Sequence, residues 1–83
     1  MARRARDIIN GLPEQVRVQV ENYRVAYTRN VGNYDSRVAM RLADETRVCM
    51  SGYVLGLMHA GLITEFERRV IFCYMTVADR VEA

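Results

Sequence analysis

Lysine is absent from this 83-residue chain, so all 12 basic residues are arginine. A genomic bias towards arginine codons accounts for this without any function. The functional alternative is planar, bidentate contact with carboxylate or phosphate. Ten acidic residues leave a net charge of +2, too small to imply an electrostatic partner. The two cysteines, Cys49 and Cys73, offer neither metal-ligand spacing nor a disulfide framework. No long apolar run is present: the most apolar stretch, Val48 to Ile63, covers 16 residues and contains His59. That is short for a membrane span and fits a buried core helix. The opening Met-Ala-Arg-Arg-Ala-Arg-Asp is basic and lacks the apolar run of a signal peptide. A cytoplasmic, reducing location is the expectation.

What is present is apolar surface, at 51% of residues. That suffices to fold, and the length suits one domain over residues 1–83. A chain this short hides only about 60–65% of its unfolded surface. Surplus apolar surface therefore favours a protein partner or a homo-oligomer.

Along the chain, residues 3–10 read as a short helix stopped by Gly11. Arg3, Arg4 and Arg6 oppose the macrodipole of its first turn. Pro13 and Glu14 suit the start of a second helix. Val16 to Val20 alternates like a strand. However, Val16, Val20, Tyr23, Tyr27, Val31 and Tyr34 form a helical stripe that lasts far longer, so helix to about Val31 is expected. Glu14 with Arg17 and Glu21 with Arg24 add i,i+3 pairs. Gly32 or Asn33 closes it, both suited to a left-handed residue.

Asp35 or Ser36 caps a third helix running to Ala60. Its expected core stripe is Val38, Leu42, Cys49, Tyr53 and Ala60, widened by Ala39, Ala43, Met50 and Leu57. Arg37, Arg41, Asp44, Arg47 and Ser51 make the polar face, with Arg41–Glu45 and Asp44–Arg47 pairs. Past Ser51, Val54, Leu55 and Met58 extend the apolar surface around the helix, which marks that end as deeply buried or part of an interface. Gly61 then stops the helix, and Thr64 with Glu67 forms a capping box for the next, with Ile63 before it as a staple. These signals predict an antiparallel helical hairpin. The last helix, Glu65 to about Val81, places Phe66, Val70, Cys73, Tyr74, Val77 and Val81 on one face, with Phe72 and Met75 off it.

The fold class expected is all-α: a small bundle of three main helices plus a short N-terminal one, in an orthogonal or up-down arrangement. Little in it points to chemistry. Cys49 and Cys73 lie 12 residues either side of Gly61, which puts them level across the hairpin. They read as small buried hydrophobes with inert thiols, the alternative being a redox-sensitive staple. His59, the single histidine, lacks a nucleophile and orienting acid at motif spacing and reads as a helix C-terminal cation. Glu65 and Glu67 are too close in sequence to serve one reaction centre. No glycine-rich loop follows a strand. No catalytic, cofactor or metal residue is assigned, and no enzyme, membrane association or small-molecule substrate is expected.

Gly52, Gly56 and Ala60 form a small-residue ridge, and mid-helix glycine costs about 1 kcal/mol relative to alanine. Something approaches closely there, either a partner helix or the chain's own N-terminal helices. The turn at Ala60-Gly61-Leu62-Ile63-Thr64 superficially suits a DNA-binding helix-turn-helix. Leu57 and Glu67 occupy positions that such a motif gives to a small and an apolar residue. The function expected is a non-catalytic protein-interaction module, self-associating, using Gly52, Leu55, Gly56, His59, Phe72 and Met75. Small modulators or inhibitors encoded by phages and other mobile elements share this profile. The alternative is a nucleic-acid-binding accessory protein using Arg3, Arg4, Arg6, Arg37, Arg41 and Arg47.

Overall fold

Helix signals dominate the chain, and the computed structural model, which describes residues 5–32 and 35–76, is built from helices. They are α1 (Ala5–Asn10), α2 (Glu14–Val31), α3 (Ser36–His59) and α4 (Glu65–Met75), with no strand among the described residues. The alternating Val16–Val20 segment is helical, and the long stripe explains why. Val20 and Tyr27 are fully buried, and Val16, Tyr23 and Val31 pack against the core. Arg3, Arg4, Asn33, Tyr34, Val77 and Val81 lie outside the described residues.

The boundaries of α3 and the start of α4 have local causes. Asp35 caps α3 by accepting from the N–H groups of Arg37 and Val38 at 3.1 and 3.3 Å. Gly32 ends α2 at φ −81°, so it does not supply the left-handed closure, and Asn33, the other candidate, lies outside the described residues. At the end of α3 such a closure is supplied by Gly61 at φ +82°. The Leu62 N–H donates to the Leu57 carbonyl and the Gly61 N–H to the Met58 carbonyl, both at 3.0 Å. This is the paired bonding of a Schellman stop. Two residues on, the Thr64 hydroxyl accepts from the Glu67 N–H at 3.1 Å while the Glu67 carboxylate accepts from the Thr64 N–H at 2.9 Å. Glu65 adds ion pairs to Arg68 and Arg69, and the Arg68 hydrogen bond, foremost, holds its carboxyl below the usual value.

The core draws on every helix: Ile8 and Ile9 from α1, Val20 and Tyr27 from α2, Ala43, Met50, Val54 and Leu57 from α3, and Ile71 and Met75 from α4, with Leu12 and Ile63 from the connections. Helix α4 packs against α1, α2 and α3, while α2 also packs on α3. The expected stripes of α3 and α4 are both displaced by one residue. Ala43, Met50 and Val54 are buried where Leu42, Cys49 and Tyr53 were expected to lead, and Ile71 and Met75 where Val70 and Tyr74 were. Cys49, Ala60, Phe66 and Cys73 are exposed. At the two tyrosine positions the physical reason is that Val54 and Met75 carry no polar group to satisfy in a core, whereas Tyr53 and Tyr74 each carry a hydroxyl that needs a partner.

Those tyrosines line the seams instead. Tyr23 and Tyr53 meet with their rings tilted by 49° at 5.4 Å between centroids, joining α2 to α3. Tyr27, though fully buried, has its hydroxyl accepting from Arg47 Nη2 at 3.0 Å. Asn30 Nδ2 donates to Thr46 Oγ1 at 2.7 Å on the same seam. Tyr74 ties α4 to α2, its hydroxyl donating to the Glu21 carboxylate while the Arg24 guanidinium lies 5.2 Å from its ring centroid. Of the expected helix-surface pairs, Glu21–Arg24 and Asp44–Arg47 form. Glu14–Arg17 and Arg41–Glu45 are not among the ion pairs of the described residues.

Replacing Gly61 by Ala forces a Cβ into the left-handed region and should cost about 1–2 kcal/mol; Thr64→Ala should cost about 1 kcal/mol through the lost cap. Urea denaturation measures both, and an unchanged midpoint for Gly61→Ala would contradict the turn. For Tyr74, burial foremost and then its bond to Glu21 push the phenol above its usual value near 10.0, outweighing Arg24. Its contribution to stability is therefore intact below that value and is lost as pH rises through the raised one. Tyr74→Phe should flatten the alkaline fall in stability, and an equally steep profile in the variant would refute the tie.

Candidate protein-interaction surface

An α-helix that buries one stripe must present the opposite side elsewhere. With Ala43, Met50, Val54 and Leu57 turned to the core, the far side of α3 carries Glu45, Val48, Cys49, Gly52, Leu55, Gly56 and His59. All seven are exposed, Val48 at 72% and Leu55 at 39%. From Val48 to Ile63 the chain has no Asp, Glu, Lys or Arg, so this end of the face is apolar or small without a charge to solvate it.

The glycines settle where close approach is possible. A Cβ added at Gly52 or Gly56 meets no heavy atom within 4 Å, apart from the helix's own nearby backbone. Packing by the chain's own N-terminal helices, one of the two explanations for these residues, is therefore not what occupies the ridge among the described residues. Ala60 is exposed as well. The helix bears the cost of two interior glycines with no internal contact to show for it.

Of the six residues expected to form an interaction surface, Gly52, Leu55, Gly56 and His59 lie together on this face. Met75 does not: it is fully buried in the core, and that corrects its assignment to the surface. Phe72 is half-buried and packs against the same core. Both follow from the one-residue displacement of the α4 stripe. Val48 belongs to the face although sequence reasoning passed over it. The signal was its position seven residues before Leu55, hidden by taking Cys49 as a core position.

The arginines are scattered by comparison. Arg47 is occupied by the Tyr27 hydroxyl and the Asp44 carboxylate. Burial disfavours its charge, but these two partners outweigh that and raise its pKa. Arg37 and Arg41 share an open depression with Asp35 and Val38, and Arg6 is exposed on α1. Arg3 and Arg4 lie outside the described residues. Cys49 and Cys73 are exposed free thiols, which corrects the reading of both as buried. Among the described residues, no group of three or more His, Cys, Asp or Glu is arranged to hold a metal ion, and no helix is long and apolar enough to cross a membrane.

Open space at the two glycines gives a prediction of opposite sign to that for Gly61. Gly52→Ala and Gly56→Ala should each stabilise the single chain by about 0.5–1 kcal/mol, measured by urea denaturation at low protein concentration. Destabilisation by either would mean that the ridge is occupied within the monomer. No protein-family model, curated protein or solved structure matches this chain.

Proposed function

We propose that this chain acts by protein association and not by catalysis, and that the outward face of α3 is the surface it uses. The observation that carries the reading is the pairing of exposed Val48 and Leu55 with two interior glycines that no part of the described chain fills. Exposed apolar side chains that share a face with small residues suit the close approach of another helix. A modulator or inhibitor that works by binding fits this arrangement, since such a protein needs a surface and a stable scaffold and nothing more. The capped turn and the core behind α3 supply the scaffold.

The test is affinity capture from the cells that make the protein, comparing the native chain with Leu55→Asp. Leu55 is partly exposed, so the substitution should leave the fold intact, as circular dichroism can check. A carboxylate placed at an apolar contact should weaken capture at least about tenfold, because the charge is desolvated without a partner. Equal recovery of the same proteins by both chains would reject the surface.

A further inference from the structure

The outward face of α3 consists of two rows. Val48 and Leu55 make a large apolar row, and Cys49, Gly52 and Gly56 make a small row beside it. Exposed Glu45 ends the face on one side and exposed His59 on the other. Each stands seven residues from Gly52. Turned end for end about that glycine, the face maps onto itself: large row on large row, small row on small row, and carboxylate opposite imidazole.

We infer that the occupant of this face is a second copy of the same chain, with the two α3 helices antiparallel and crossing at Gly52. The inference rests on the reading of this face as a binding surface. A two-fold axis perpendicular to both helices keeps each row on its own side. Val48 then meets the partner's Leu55, and Cys49 lies over the partner's Gly56. Gly52 meets the partner's Gly52 at the crossing, where the open space around it admits a second backbone. Glu45 reaches the partner's His59, and symmetry makes that contact twice. A parallel pair would instead set Glu45 against the partner's Glu45, carboxylate against carboxylate. An unrelated helix could fill the same space, but it would not require acid and imidazole at mirrored distances from one glycine. No acidic residue or arginine sits between Val48 and His59, so pairing desolvates no such charge at its centre.

Disulfide trapping reads both the pairing and its direction. Val48→Cys and Leu55→Cys are made separately in a Cys49→Ser, Cys73→Ser background, which removes both exposed native thiols. Mild oxidation of an equimolar mixture should give a covalent dimer, and oxidation of either chain alone should not. In the antiparallel pair the two Val48 positions are about 12 Å apart along the helices and the two Leu55 positions about 9 Å. A disulfide reaches only about 7 Å between Cα atoms. Efficient dimer formation by either chain alone would show a parallel pair and overturn the inference. A native chain that sediments as a monomer at every concentration would overturn self-pairing altogether. If Leu55→Asp still abolished capture of other proteins in that case, the α3 surface would stand with a different occupant. A native dimer whose folded variants give no mixed disulfide would place the contact on another face, which also overturns it. As an independent measurement, Gly52→Leu should weaken self-association at least about tenfold by overpacking the crossing while leaving the single chain folded; unchanged self-association would overturn the crossing at Gly52.

Discussion

The phase of α3 governs the rest of the molecule. A helix can turn only one stripe inward, and burying Met50, Val54 and Leu57 fixes which one. That choice sets Tyr53 beside Tyr23 and Arg47 over the Tyr27 hydroxyl, so the polar seam with α2 follows from the apolar stripe. It also fixes what faces away. Rotating α3 back by one residue, about 100°, would bury Cys49 and turn Gly56, in the same row, towards the core with it, leaving only Leu55 of these outside. The exposed apolar row is thus a geometric consequence of how the core is filled.

The tyrosines show how a thin core is sealed. Val20, Val54 and Ile71 fill the centre without a polar atom to satisfy, but an 83-residue chain has few such residues to spend. Tyr27 joins them at the centre, and Tyr23, Tyr53 and Tyr74 cover the margins, each packed against the core. Where the hydroxyl is drawn in, a charged side chain meets it: Arg47 at Tyr27 and Glu21 at Tyr74. Burial raises the Tyr53 phenol as well, with Tyr23 contributing. Arginine suits this duty because its guanidinium can donate a hydrogen bond and lie over a ring with the same group, which an ammonium does less well. The absence of lysine is compatible with that use, although codon bias alone would produce it.

Local signals in the sequence translated most directly into structure. Gly61, Thr64 and Glu67 specify a stop and a start through bonds that span a few residues, and no distant contact is needed to read them. The α2 stripe was legible too, because five of its positions repeat over many turns, whereas the competing face offers only Val18 and Val25, which are exposed. On α3 and α4 there are competing faces. Both Cys49 and Met50, and both Tyr74 and Met75, are apolar enough to satisfy a pattern, and only packing against the other helices decides between neighbours. The candidate surface inherited that ambiguity. Gly52, Leu55, Gly56 and His59 were legible because the glycines are anomalous in any helix; Met75 and Phe72 were misplaced because nothing local distinguishes a second apolar face from the core.

The displaced stripes also set several sulfur atoms of the described residues at opposite depths. Cys49, Cys73 and Met40 stand in solvent, whereas Met50 and Met75 are sealed at the centre. Oxidants meet the outer thiols and the outer thioether first, and sulfenic acid or sulfoxide formed there adds polarity to a surface that already touches water. The same chemistry at Met50 would put a polar sulfoxide among Val54, Leu57 and Ile71. These outer sulfur atoms are where oxidative damage costs the fold least, and one of them, the Cys49 thiol, lies on the α3 face left open for another helix.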